Sequence, residues 1–314
     1  MKKRILITDK VHPVLIDGLH DRGFYVDYDL SVDNMVLDSI ISQYDGIIIN
    51  SKIIMDKNRI DRGVRLDFIG RLGSGLEIID VNHAATKNIK VYNSPEGNRN
   101  AVAEHEIGML LSLLHNIQRA DHQLRNFIWE RELNRGTEIK GKTVGIIGLG
   151  NTGIAFAEKL YNWGVKIIAY DKYRISYPAS LDFVEKTDLD TLILNADIIS
   201  LHLPLTDETR YMVHEKFLSR CKKGVIISNT SRGSIIQTTS LIDQLTNKPV
   251  SGACLDVFEN EKSESFTTEE KNMYQSLYNM PNVVLTPHIA GWTHESLELI
   301  ARVLLEKIIA GYHL

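Results

Sequence analysis

Short apolar runs alternate with longer amphipathic stretches along almost the whole chain, and this alternation restricts the possible folds more than any other feature. Apolar runs rich in β-branched residues indicate buried strands, and the stretches between them repeat apolar residues at helical spacing. Such strands joined by helical crossovers are typical of parallel sheets covered on both faces. The alternation restarts at Lys142, which predicts two doubly wound α/β domains. The predicted strands are residues 4–8, 23–28, 46–50, 67–71 and 90–92, then 143–147, 166–170, 197–201, 224–228, 252–256 and 282–285.

Length, charge and cysteine content exclude several classes of protein. At roughly 150 residues per domain, 314 residues are enough for two domains. A net charge of −4 gives no basis for binding nucleic acid, which favours a basic face. The sequence contains no apolar run near the ~20 residues of a membrane helix, and its two cysteines, Cys221 and Cys254, lack metal-ligand spacing. We therefore expect a cytoplasmic protein with no metal, nucleic-acid or membrane partner.

A glycine motif predicts a dinucleotide site. Residues 143–153 read TVGIIGLGNTG, a strand that leads into G-x-G-x-x-G before a helical pattern. Gly148 permits a tight turn, Gly150 lets the backbone approach a pyrophosphate, and Gly153 lets the helix pack closely on the strand. The start of that helix offers amides and a partial positive charge to phosphates. Asp171 ends the next strand about 20 residues further on, where a carboxylate binds ribose hydroxyls and repels a 2′-phosphate, so we expect NAD rather than NADP.

Three later segments carry a family resemblance. They are residues 229–233 (NTSRG), 255–261 (LDVFENE) and 286–291 (TPHIAG). In this order they resemble the D-isomer-specific 2-hydroxyacid dehydrogenase family, and the resemblance covers nearly the whole chain. It implies two Rossmann-like domains with a cleft between them, and hydride transfer between NAD(H) and a small 2-hydroxy or 2-keto acid.

The resemblance also implies three catalytic residues, Arg232, Glu261 and His288. Oxidation of a hydroxy acid removes the hydroxyl proton as hydride leaves the carbon. An imidazole titrates near working pH, so His288 is suited to accept that proton and to return it in reduction. Glu261 would orient the ring, and Arg232 would bind the substrate carboxylate through its planar donors.

Further residues are assigned to the two ligands by the same resemblance. Besides the glycines and Asp171, the expected cofactor residues are Asn151, Thr152, His202, Pro204, Thr209, Thr230 and Asp256. The expected substrate residues are Asn50, Ser51, Lys52, Arg71, Ser74 and Gly75.

The sequence does not identify a single substrate. Residues 71–75 (RLGSG) resemble phosphoglycerate dehydrogenases, which suggests the pair 3-phosphoglycerate and phosphohydroxypyruvate in serine biosynthesis. Those enzymes commonly place arginine in the loop after the third strand, where this chain has Lys52, a point charge without bidentate geometry. Lys262, where the family usually has proline, is a further departure. Glyoxylate, hydroxypyruvate or another 2-keto acid is the alternative, and an NAD(H)-sensing protein without catalysis is a remote one.

The resemblance and the pattern also predict the organisation of the chain. We expect a discontinuous substrate domain, residues 1–98 plus 287–314, and an NAD domain, residues 99–286. The chain would then be a short dehydrogenase without an appended regulatory domain. Residues 100–117 are apolar nearly all round, so a helix there should be buried on every side. We expect it to lie between the domains or in the interface of a homodimer.

Overall fold

Parallel strands of branched apolar residues form the centre of each of the two units into which the computed structural model divides the chain. The structure describes residues 2–174, 176–247 and 249–313. The first unit is Met1–Ala101 with Trp292–Leu314, and the second is Val102–Gly291. The assignment of these units to substrate and cofactor stays a prediction at this point.

The first unit contains a sheet whose described strands are all parallel and follow the order 2-1-3-4-5. Successive side chains of a strand point to opposite faces, so Ile47 and Ile49 enter one apolar cluster while Ile48 enters the other. Leu304 and Ile308, near the end of the chain, complete the second cluster. The elements are β1 (Arg4–Ile7), α1 (Pro13–Asp21), β2 (Tyr25–Tyr28), α2 (Asn34–Ile40), β3 (Gly46–Ile49), α3 (Lys57–Arg62), β4 (Phe68–Arg71), α4 (Val81–Thr86) and β5 (Lys90–Asn93).

The second unit contains a larger sheet, again parallel throughout the described strands. Its helices and strands are α5 (Arg99–Leu114, in this unit from Val102 on), α6 (Ile117–Arg125), β6 (Thr143–Ile147), α7 (Asn151–Leu160), β7 (Lys166–Tyr170), β8 (Val184–Lys186), α8 (Leu189–Asn195), β9 (Ile198–Leu201), α9 (Glu215–Leu218), β10 (Val225–Asn229), α10 (Thr238–Asn247), β11 (Val250–Leu255), α11 (Thr268–Tyr278) and β12 (Val283–Leu285). The chain then returns to the first unit as α12 (His294–Tyr312).

Strand order in the second sheet creates a position for a ligand. The order is β12-β11-β10-β9-β6-β7-β8, so β6 pairs with β7 on one side and with β9 on the other. The chain leaves β6 toward β7 and leaves the neighbouring β9 toward β10, so the loops after these two strands diverge. In doubly wound sheets ligands bind at this switch point.

The two predicted parallel α/β sheets are confirmed, and two details differ from the prediction. Strand β8 was not predicted, because only Val184 of its three residues is buried and the strand lies at the edge of the sheet. The predicted helix 100–117 ends at Leu114, since Asn116 adopts a left-handed backbone with φ of 55° before α6 begins. Glu104 and Gly108 of α5 are exposed in the single chain, and the burial of this helix between domains or in a homodimer interface stays a prediction. None of the described helices combines the length and apolarity needed to cross a bilayer.

Candidate active site

The glycine loop between β6 and α7 has the geometry that a pyrophosphate requires. Gly148 has φ of +93°, and a Cβ there would clash with the carbonyl oxygen of His202. A Cβ on Gly153 would clash with the carbonyl oxygen of Gly148. Gly150, in contrast, faces open space at the start of α7. Two glycines therefore allow the tight turn and close packing, and the third leaves room where the first amides of the helix are exposed. This loop fits a bound dinucleotide.

Asp171 is held by backbone amides at the end of β7. One carboxylate oxygen accepts from the amide of Leu149 at 2.7 Å, and the other accepts from the amides of Tyr173 and Arg174 at 2.9 Å. Burial alone would raise the pKa of this carboxyl, but the three amides outweigh it and the pKa is lowered. An ionised carboxylate has about four acceptor positions, so one remains for a ribose hydroxyl.

The other predicted cofactor residues lie on loops of the same sheet edge. Asn151 and Thr152 form the first turn of α7, and the ring of His202 lies 3.2 Å from the Thr152 hydroxyl. Pro204 is bound through its carbonyl by the hydroxyl of Thr209, which closes the loop after β9. Thr230, after β10, is buried and donates its hydroxyl to Glu106 at 3.3 Å.

Asp256 holds the loop that carries His288. Its carboxylate is fully buried and accepts from the hydroxyl of Thr286 at 2.6 Å and from the amides of Ile289 and Ala290 at 2.9 and 2.8 Å. The amide of His288 donates to the backbone carbonyl of Asp256 at 2.7 Å. These bonds keep His288 in a left-handed backbone, with φ of 56°, that side chains other than glycine rarely adopt. The predicted role of Asp256 as a cofactor ligand stays a prediction.

Loops after β10, β11 and β12 bring Arg232, Glu261 and His288 into one neighbourhood. The Nδ1 atom of His288 lies 2.8 Å from Oε2 of Glu261. Burial acts to raise the pKa of Glu261, but the hydrogen bond and charge of His288, followed by the Phe258 amide and the Arg232 charge, lower it overall. A Cβ on Gly233 would clash with the backbone of Phe258, so the loops of Arg232 and Glu261 pack directly on each other.

The predicted substrate residues lie in the first unit, at the carboxyl end of β4 and in the loops after the neighbouring strands β3 and β4. The amide of Asn50 donates to Asp9, and the ammonium of Lys52 donates to the carbonyl of Leu30 at 2.8 Å. The guanidinium of Arg71 donates to the carbonyl of Leu72 at 2.6 Å. Ser51 follows Asn50 and is exposed, like Lys52.

The loop after β4 is held by two residues near the end of β5. Asn93 donates to the carbonyl of Ser74 at 2.7 Å, and the amide of Gly73 donates to the hydroxyl of Ser94 at 3.0 Å. Ser74 and Gly75 remain half-buried. These bonds fix the backbone of residues 73–75 without occupying every amide of the turn.

Two residues that the sequence did not single out support these sites. Asp9, after β1, accepts from the amide of Asn50 at 3.0 Å and from the hydroxyl of Thr8 at 2.7 Å, and so holds the loop after β3. Glu106 of α5 is fully buried beneath the loops after β9 and β10. An acidic residue within an apolar helix is the signal that could have identified Glu106.

Comparison with known proteins agrees with this geometry. The family model described as "D-isomer specific 2-hydroxyacid dehydrogenase, NAD binding domain" matches residues 107–290. A hydroxypyruvate reductase of Thermotoga maritima is 38% identical over 269 residues, which are 86% of this chain and 85% of that protein. A D-3-phosphoglycerate dehydrogenase of Archaeoglobus fulgidus is 31% identical over 306 residues, 98% of this chain but 56% of that protein. The chain thus spans little more than half of that relative.

Among solved structures, a D-lactate dehydrogenase of Aquifex aeolicus complexed with NAD and lactic acid superimposes with a TM-score of 0.85. The identity is 26%, and the match covers 99% of this chain and 95% of the other. The chain is therefore an NAD-dependent oxidoreductase acting on the CH–OH group of 2-hydroxy acids. It belongs to the D-isomer-specific 2-hydroxyacid dehydrogenase family.

Replacement of His288 tests its predicted role. We expect His288→Asn to lower turnover about 10²–10⁴-fold, the usual effect of losing a positioned acid–base group. Asparagine tolerates the left-handed backbone at this position, so the loop and the affinity for NADH should be retained. Turnover and NADH fluorescence titration measure the two effects. The exposed His214, replaced by alanine, is the control, and near-normal turnover of His288→Asn would refute the assignment.

Discrimination between NADH and NADPH tests Asp171. Lys172, the adjacent cation, is bound by both carboxylate oxygens of Glu208 at 2.7 Å, which reduces its attraction for a 2′-phosphate. We expect NADH to bind about 10–100-fold more tightly than NADPH, the worth of one charge-assisted hydrogen bond. Asp171→Asn should narrow this ratio, while Asp190→Asn, which removes an exposed charge elsewhere in the unit, should not. Equal Kd values in the unaltered protein would contradict the prediction.

Proposed function

We propose that the enzyme oxidises or reduces a small 2-hydroxy or 2-keto acid, with His288 as the acid–base residue. The observation that carries this proposal is the 2.8 Å contact between His288 Nδ1 and Glu261. An ionised carboxylate only accepts hydrogen bonds, so the ring proton lies on Nδ1 and the lone pair on Nε2. A neutral ring held in this way can accept the hydroxyl proton of a substrate.

The chain's own residues would then share the work of the reaction as follows. Bound NAD supplies the hydride acceptor at its nicotinamide ring, and NADH the donor. His288 takes the hydroxyl proton through Nε2 during oxidation, and Glu261 stabilises the imidazolium that results. Arg232, whose charge reaches Glu261, binds the substrate carboxylate and polarises the carbonyl in reduction. The second unit therefore serves as the NAD domain and the first as the substrate domain.

The first candidate substrate pair is 3-phosphoglycerate and phosphohydroxypyruvate. Two cations lie at the same edge of the sheet, Arg71 at the carboxyl end of β4 and Lys52 in the loop after the adjacent strand β3. Their proximity in the sheet order provides positive charge for a phosphate. The similarity to D-3-phosphoglycerate dehydrogenases over 98% of the chain supports the same candidate.

A specific observation favours a second candidate, unphosphorylated hydroxypyruvate or glyoxylate. The Lys52 ammonium is already bound to the carbonyl of Leu30, and the Arg71 guanidinium to the carbonyl of Leu72. A phosphate would have to compete with these contacts. The hydroxypyruvate reductase of Thermotoga maritima also matches this chain over most of both proteins.

A panel of 2-keto acids separates the candidates. We expect kcat/KM for phosphohydroxypyruvate to exceed that for hydroxypyruvate, glyoxylate, pyruvate and 2-ketobutyrate. Lys52→Met, which keeps the apolar stem and removes the charge, should lower kcat/KM for phosphohydroxypyruvate about tenfold or more. The same variant should leave kcat/KM for hydroxypyruvate unchanged. Consumption of NADH, followed optically, measures each rate.

The matched control is Lys57→Met, which removes a charge from the start of α3. A preference for hydroxypyruvate or glyoxylate, with no effect of Lys52→Met, would establish the second candidate. If none of the acids in the panel is turned over while NADH still binds, the NAD(H)-sensing alternative would be favoured.

A cytoplasmic homodimer completes the proposal. Phe127 and Trp129, in the segment that follows α6, are 98% and 78% exposed, and α5 shows an exposed face at Glu104 and Gly108. Contiguous exposed apolar side chains mark association surfaces. We expect sedimentation at micromolar concentration to give twice the mass of the chain. A doubly substituted variant, Phe127→Ser with Trp129→Ser, should shift the protein to monomer, and a monomeric unaltered protein would contradict the dimer.

A further inference from the structure

Glu106 lies in a buried environment in which carboxylates are rarely found. It is fully buried on α5, surrounded by hydroxyl groups from two strands and the loop after them. Ser200 and Ser228 donate to its Oε1, the latter at 2.5 Å, and Thr230 donates to its Oε2 at 3.3 Å. Burial of a carboxylate costs free energy that such donors must offset. An apolar side chain in this helix would incur no such cost.

A continuous chain of hydrogen bonds runs from Glu106 to the cofactor loop. The hydroxyl of Ser200 contacts Glu106 on one side and the Nε2 atom of His202 on the other, at 2.7 Å. The Nδ1 atom of His202 lies 3.2 Å from the hydroxyl of Thr152. Thr152 stands in the first turn of α7, between the glycines that leave room for the pyrophosphate.

The carboxylate fixes the direction of this chain. Ser200 has one hydroxyl proton, and Glu106 can only accept, so Ser200 donates to Glu106 and accepts from His202 Nε2. Burial lowers the pKa of His202 and favours the neutral ring, which has a single ring proton. With that proton on Nε2, Nδ1 is an acceptor, and it draws the hydroxyl proton of Thr152 inward.

We propose that Glu106 is a positioning residue that moderates cofactor affinity by turning the Thr152 hydroxyl proton away from the pyrophosphate. The phosphates are then bound by the backbone amides of the α7 terminus without a side-chain donor from Thr152. Moderate affinity favours release of the cofactor after each turnover. The inference rests on the NAD site and is independent of the substrate's identity.

The variant Glu106→Gln should reverse the direction of these hydrogen bonds, because glutamine has almost the same shape as glutamate. If the amide nitrogen replaces Oε1, it donates to Ser200, which then donates to His202 Nε2. If it replaces Oε2, it faces His202 Nε2 directly, at the position where the carboxylate oxygen lies 3.5 Å away. The first orientation, in which the amide nitrogen donates to both Ser200 and Ser228, moves the ring proton to Nδ1 and frees the Thr152 hydroxyl to donate to a phosphate. We expect this orientation, because the second would place the amide hydrogens against the Nε2 proton of His202. We expect the Kd of NADH to fall about tenfold, whereas damage to the fold would raise it.

Nitrogen NMR of ¹⁵N-histidine-labelled protein reads the tautomer directly, with His202 assigned by the resonance that His202→Gln removes. The unaltered protein should show the Nε2–H form, and Glu106→Gln the Nδ1–H form. Ser228→Ala is the matched control, because Ser228 binds the same oxygen but lies outside the path to His202. It should preserve both the tautomer and the Kd. Addition of Thr152→Val to Glu106→Gln should abolish the gain in affinity.

Several results would overturn the proposal. These are an Nδ1–H ring or an imidazolium in the unaltered protein, an unchanged tautomer in Glu106→Gln, or an NADH Kd that is equal or higher in that variant. Failure of the unaltered protein to bind NADH would instead count against the dinucleotide site itself. The NADH titration thus separates failure of this inference from failure of the assigned enzyme class.

Discussion

Because all described strands of the second sheet run in one direction, their carboxyl ends meet at a single edge, and every site residue of the second unit depends on that arrangement. The loop after β6 carries the glycines, and Asp171 directly follows β7. The loops after β10, β11 and β12 carry Arg232, Glu261 and His288. A parallel sheet requires long crossovers between neighbours, so residues far apart in sequence are brought together at this edge. Chemistry at this edge is set by loops, and the strands hold the loops in register.

Buried and exposed carboxylates have different tasks at this edge. Asp256 and Glu106 are fully buried, and their oxygens accept from hydroxyls and amides of neighbouring loops. Each of them therefore fixes backbone or side-chain direction. Glu261 and Asp171 are more exposed, and the pKa of each is lowered by a specific set of donors. The lowered pKa keeps both carboxyls ionised, as the predicted binding of a ring proton by Glu261 and of a ribose hydroxyl by Asp171 would require.

The sequence was sufficient to predict the glycine loop and the two sheets, because both depend on local patterns. Gly148, Gly150 and Gly153 belong to one turn, and a strand before and a helix after them can be recognised within a few residues. The partners of Glu106 lie 94 to 124 residues away along the chain, so no local pattern pairs them. The contact between Lys52 and Leu30 likewise depends on how two loops meet, and it bears directly on the choice of substrate. Family motifs indicated which residues are functional, and the packing shows which neighbours hold them.

Main-chain hydrogen bonds, and not burial, hold the predicted catalytic pair in place. The side chains of His288 and Glu261 are 49% and 39% exposed, as the proposed contact with a substrate would require. Exposed ion pairs gain little stability and lose their geometry easily. Here the left-handed backbone of His288 is fixed by its amide bond to Asp256, and the Phe258 amide holds the second oxygen of Glu261 at 3.3 Å. Gly233 packs against Phe258 and couples the Arg232 loop to the same backbone. Backbone hydrogen bonds in the loops fix the positions of the two residues, while their side-chain tips stay accessible to solvent. Precise geometry and solvent access are therefore compatible at this pair.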